Sequence, residues 1–121
     1  MTTKQIADKL VQLCSKGQFM QAGQELYSPD IVSVEPMAPP GQSREAKGIA
    51  AVKAKGEWWE ANHEVHAVKV EGPIVADSHF AVVYKMDFTT KADGKRLKME
   101  EVGVYKVTDG KIVREEFFYA M

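Results

Sequence analysis

The stretch DIVSVEPMAPPGQ, Asp30 to Gln42, ends a short β-rich run in a carboxylate, Glu35, and halts it at once with Pro36. Two readings compete. Glu35 is either a solvated turn acid that accepts backbone N–H bonds, or a carboxylate that the strand delivers to a defined place. Two more acid pairs lie in alternating apolar sequence, Glu100 with Glu101 in KMEEV and Glu115 with Glu116 near the end. On a strand, neighbouring side chains point to opposite faces, so one acid of each pair must face solvent and a register slip of one residue exchanges them. A carboxyl in a dry aromatic pocket resists ionisation, and a second carboxyl beside it raises its pKa further. Such groups can remove a proton next to a carbonyl and return it elsewhere, or activate water.

Other chemistries find little support. HEVH, His63 to His66, is not the helical zinc pattern, and on a strand residues three apart face opposite ways. We expect no metal and no cofactor. The glycines form no phosphate-binding pattern, and no Ser-His-Asp or Cys-His arrangement stands out. Cys14 is the one cysteine, so no intrachain disulfide can form, and its helical position reads as a buried, inert thiol. The net charge of −1, with both signs mixed along the chain, gives no basic footprint for nucleic acid and no membrane-binding stripe. No secretory leader or spanning segment is visible, and a cytoplasmic location is expected.

These acids must be positioned by one domain over residues 1–121, since the chain has 121 residues. Thr2 and Gln5 have capping-box spacing, followed by Ile6, Leu10, Leu13 and Cys14 at helical period, with Gly17 as a stop. A second helix is predicted over Gln18 to Tyr27, ended by Ser28-Pro29-Asp30, and strand one over Ile31 to Glu35. The third helix runs from Gly48 to Ala61, with Ile49, Val52, Gly56 and Trp59 on one face. Gly56 costs about 1 kcal/mol there against alanine, which points to a close approach. From His63 the period becomes alternating. Strands are expected over His63 to Glu71, Ile74 to Ala76, His79 to Thr90, Arg96 to Val107 and Lys111 to Tyr119, with hairpin turns at ADGK and TDGK. Helices first and antiparallel strands after give an α+β fold, with helices on one face of a curved sheet and room for a concave pocket.

That order, with GIAAV opening the third helix and VYKVTDGKIVREEFFY closing the chain, resembles the SnoaL-like branch of the nuclear transport factor 2-like superfamily over nearly its whole length. The resemblance implies a cone-shaped, strongly curved, mostly antiparallel sheet wrapped around three helices from the N-terminal half. In ketosteroid isomerases of this superfamily, an acid directly before a proline at the end of the first strand is the proton-shuttling base. Glu35 before Pro36 matches it. The isomerases' two oxyanion donors have no match: the helix-one tyrosine falls near Leu10, and the acid two residues before the penultimate strand's aromatic, Tyr105, falls on Gly103. The fold hosts cyclases, isomerases, dehydratases and non-catalytic modules alike.

The resemblance also sets strand parity. It turns Met99, Glu101, Gly103 and Tyr105 inward, with Glu115, Phe117 and Tyr119, and with Phe80, Val82, Tyr84, Met86 and Phe88. The implied catalytic set is Glu35, Glu101 and Glu115. The implied ligand-binding set is Trp59, Tyr84, Met86, Met99, Phe117 and Tyr119. The expected partner is a small apolar or aromatic compound with a carbonyl or hydroxyl. Ala81, Val83, Val102 and Val104 face the other way, and an apolar convex face wants cover. A homodimer through the sheets is expected. Isomerisation, cyclisation, dehydration and hydration all fit such a pocket, as does a dimeric binding or association module without catalysis.

Overall fold

The computed structural model describes residues 1–120. Its elements are α1 (Thr3–Ser15), α2 (Phe19–Leu26), β1 (Tyr27–Val34), β2 (Glu45–Lys47), α3 (Ile49–Asn62), β3 (His63–Ala76), β4 (His79–Thr90), β5 (Arg96–Thr108) and β6 (Lys111–Phe118). One six-stranded sheet has the order β2-β1-β6-β5-β4-β3. Among the described residues only the β1–β6 pair is parallel. The chain closes the sheet's inner face with its helices, and this is the α+β architecture expected.

The Thr2 hydroxyl accepts from Gln5 N and the Gln5 side chain accepts from Thr2 N, which satisfies two end donors of α1. The helix buries Ile6, Ala7, Leu10, Leu13 and Cys14. These pack with Phe80, Val82, Tyr84, Met86, Phe88, Tyr105, Val107 and Ile112 from the sheet. Each Val, Leu, Ile, Phe or Met side chain so buried contributes roughly 1.5–3 kcal/mol. Gly56 lies against α2, where a Cβ would stand 3.0 Å from the Met20 sulfur. Its helical cost is thus offset by the close passage of α2 and α3.

Three local expectations are corrected. Ser28-Pro29-Asp30 does not separate helix from strand: β1 starts at Tyr27, and the proline sits where the β1–β6 register shifts between Tyr27 and Val32. Proline is tolerated there because an irregular ladder asks no N–H of it. The loop after Glu35 contains the short edge strand β2, which exists through pairing with Val32–Val34 rather than through its own pattern. Gly72-Pro73 does not end β3. The strand continues through it with a register shift between Glu71 and Ile74, and Gly72 has φ +119° with Ala81 O close by. Only glycine takes that backbone without strain.

Candidate functional site

The inner face of the sheet and the inner sides of α2 and α3 enclose a cavity of about 1080 Å³. That is large enough for a multi-ring organic molecule. Trp59, Tyr84, Met86, Met99, Phe117 and Tyr119 all line it, and so do Glu35, Glu101 and Glu115. The alternation explains the shared face. Val102 and Phe118, the outward neighbours of Glu101, Phe117 and Tyr119, are exposed. Glu100 is exposed and turned to Lys85, while Glu116 meets Arg114.

Glu115 lies deepest. β1 and β6 are in register at Ser33 and Glu115, so the Ser33 hydroxyl reaches across and donates to Glu115 Oε2 at 2.6 Å. The Tyr27 hydroxyl donates to Glu115 Oε1. Burial raises the Glu115 pKa, while the two hydroxyl donors and the Lys55 charge oppose that rise. The same desolvation pushes the tyrosines at 27, 84 and 105 upward and the Cys14 thiol to about 12. Cys14 is therefore a buried, protonated packing residue with the Tyr84 hydroxyl at 4.0 Å.

Glu35 stands one residue past β1, two after Ser33 and four after Ile31, on the same inward side. It is not a solvated turn acid. Its Oε1 is 2.7 Å from Lys55 Nζ, and its Oε2 accepts from the Tyr119 hydroxyl at 3.0 Å. Lys55 Nζ also donates to Ser33 Oγ at 2.6 Å. Tyr27, Glu115, Ser33, Lys55, Glu35 and Tyr119 thus form one hydrogen-bonded chain from the cavity floor toward its rim.

Glu101 sits opposite Tyr84 in the β4–β5 register. Burial raises its pKa to about 7, the charges of Glu35 and Glu115 add to this, and Lys55 opposes it. No hydrogen bond to another described side chain contributes to that value. A carboxyl with this setting exchanges its proton near neutral pH, which the fully bonded Glu115 is not arranged to do.

Gly103 gives a steric answer to the absent isomerase acid. A Cβ at this position would lie 2.9 Å from Tyr105 Cε2 and 3.0 Å from its hydroxyl. The Tyr105 ring occupies the space above Gly103 and stacks on Phe80 at 4.8 Å, and its hydroxyl hydrogen-bonds the Tyr84 hydroxyl at 2.5 Å. Phe80 and Tyr105 face each other across β4 and β5.

Trp59 is flanked by His63, whose ring stacks on it at 4.3 Å, and by Phe88 at 5.6 Å. His63 Nδ1 bonds the Trp59 carbonyl at 2.8 Å, and His66 Nε2 bonds Thr89 Oγ1 at 2.7 Å. The two histidines of HEVH therefore serve separate contacts. Among the described residues no three His, Cys, Asp or Glu side chains could jointly hold a metal. Trp58 is exposed and touches His63 edge-on.

Lys55, Ser33 and Tyr27 are absent from the sequence-based set. Lys55 had a legible signal, because it follows Val52 by three and precedes Trp59 by four on the inward stripe of α3. Ser33 shares strand parity with Glu35. Tyr27 carried no such signal, since its partner Glu115 is 88 residues away.

The description "SnoaL-like domain" matches residues 1–119. The chain belongs to the SnoaL-like domain family. A solved structure of a candidate SnoaL-like polyketide cyclase from Mesorhizobium loti is 41% identical over 98% of this chain and 100% of that one, with a TM-score of 0.92. A nuclear transport factor 2-like protein from Burkholderia thailandensis is 21% identical over 99% and 92%, with a TM-score of 0.82, a likeness of fold. TerC, co-crystallised with polyporic acid, is 16% identical over 98% and 91%, with a TM-score of 0.77, again a likeness of fold. No curated protein matches the chain. Among the described residues no helix is long and apolar enough to cross a membrane.

Proposed function

We propose that this SnoaL-like protein binds a small apolar carbonyl or hydroxyl compound and performs cofactor-independent acid-base chemistry on it, in the class of isomerisation, cyclisation, dehydration or hydration. The observation that carries the reading is Glu101. It is a carboxyl with a pKa of about 7, beside an ion-paired carboxylate in a mainly apolar cavity. Proton transfer is assigned to the Glu35–Glu101 pair. Glu101 takes the proton from carbon and returns it to a second position, and Glu35 is the companion carboxylate at the strand end. Glu115, closed off by Tyr27 and Ser33, sets the electrostatics of the other two. Trp59, Met86, Met99 and Phe117 provide the apolar walls, with Tyr84 and Tyr119 at the polar side. The TerC structure supports an organic ligand for this fold.

The same proposal includes a homodimer through the outer sheet face, supported by exposed Ile74, Val102 and Phe118, which share that face with Ala81 and Val83. It also includes a cytoplasmic location, for which the free thiol of Cys14 is the support.

The test is solvent deuterium exchange into a panel of bicyclic ketones and aromatic β-dicarbonyl compounds, followed by mass spectrometry. Positioned acid-base groups contribute roughly 10²–10⁴-fold, so Glu101→Gln should lose that much exchange. Binding without exchange in the native protein would favour the second reading, a dimeric binding module. That reading draws its support from Leu10 and Gly103, which stand where isomerases carry oxyanion donors.

A further inference from the structure

Proton abstraction next to a carbonyl places negative charge on the carbonyl oxygen, and a donor must meet it. The hydrogen-bond chain lets the donors be counted. The Tyr119 proton is spent on Glu35, and the Tyr27 and Ser33 protons are spent on Glu115. The directions are fixed by Lys55, because an ammonium donates and cannot accept. Its bond to Ser33 makes the serine oxygen an acceptor and sends the serine proton onward to Glu115. Lys55 has three N–H groups. One goes to Glu35 and one to Ser33. The Phe117 ring, with its centroid 5.6 Å from Nζ, flanks the ammonium without offering an oxygen. Among the described residues of this hydrogen-bond network, Lys55 alone retains an uncommitted proton, and it lines the cavity.

We propose that Lys55 is a catalytic residue, whose third N–H donates to the ligand's carbonyl oxygen and stabilises the charge that develops there. Glu35, Ser33 and Glu115 are then positioning residues that hold the ammonium at two points. The proposal rests on the reading that the cavity takes a neutral carbonyl compound, and it names the chemistry of that compound's recognition: an accepting oxygen within reach of Lys55, with the acidic carbon toward Glu101. No side chain at Gly103 and no tyrosine on α1 is needed. The charged and titratable groups facing Lys55 are Glu35, Glu101, Glu115 and Tyr119.

The probe is 1-tetralone labelled with carbon-13 at the carbonyl. Bound to the native protein, its carbonyl resonance should move downfield and its C=O stretch to lower frequency. Lys55→Met should abolish both changes. Tyr119→Phe and Glu101→Gln should retain them. If Lys55→Met does not fold, Lys55→Gln serves instead, with both changes clearly reduced. The proposal is overturned if the neutral variant keeps the native shifts, if bound ketone keeps its solution values, or if 1-tetralone does not bind. Where turnover is found, Lys55→Met should lower kcat by roughly 10²–10³, as removal of an oxyanion donor does, with KM changing less. Carbonyl shifts without any deuterium exchange would sink the enzyme reading and leave Lys55 as the ligand's donor, so the two failures are distinguishable.

Discussion

Replacing Glu101 with glutamine should make the protein more stable at neutral and alkaline pH while removing its proposed chemistry. The Glu101 carboxyl ionises at 4.5 in an ordinary setting and at about 7 in the folded protein. The folded state therefore binds this proton more tightly than the unfolded chain. Below 4.5 the carboxyl is neutral in both states and costs nothing. Between 4.5 and about 7 the unfolded chain ionises first, and stability falls as pH rises. Above that window the cost is constant. At 1.36 kcal/mol per pH unit, the interval corresponds to about 3 kcal/mol. Glutamine has nearly the same shape and never ionises. Urea unfolding at pH 8 should then show Glu101→Gln more stable by about 2–3 kcal/mol, a midpoint higher by roughly 1 M or more. At pH 4 the two proteins should unfold together. A variant no more stable than native at pH 8, or a difference that does not change with pH, would refute the placement of Glu101 in a desolvated site.

Four further outcomes follow from the same contacts. Glu35→Gln removes a negative charge beside Glu101 and releases Lys55 toward it, so carbon-13 titration of the carboxyls should show Glu101 ionising below about 7. Gly103→Ala forces Tyr105 from its place above the glycine, and thermal or urea unfolding should show a loss of about 1–3 kcal/mol. Tyr27→Phe leaves Glu115 with one donor fewer and should cost about 1–3 kcal/mol, with the Glu115 carboxyl moving further upward in a carbon-13 titration. Ile74→Glu puts a charge on the outer sheet face, and sedimentation should show the proposed dimer converted to monomer.

Local pattern carried much of the fold. The capping box at Thr2 and Gln5, the helical period of Ile6 to Cys14, the two Asp-Gly turns and the alternation in β4 are written in neighbouring residues. β2 and the passage of β3 through Gly72 were not, because each depends on what a partner strand supplies. In the site, the inward parity of Glu101 and Glu115 rested on family resemblance, since EE and EEFFY alternate equally well in either phase. The sequence by itself determined that acids, tyrosines and a third helix carrying Lys55 would be present, because those are matters of residue type and period. Tertiary structure decided that Lys55 joins Glu35 to Ser33, that Tyr27 closes on Glu115, and that Glu101 has no hydrogen-bond partner among the described side chains. Hydrogen bonds and desolvation depend on distances between residues 20 to 88 positions apart, which local pattern does not encode.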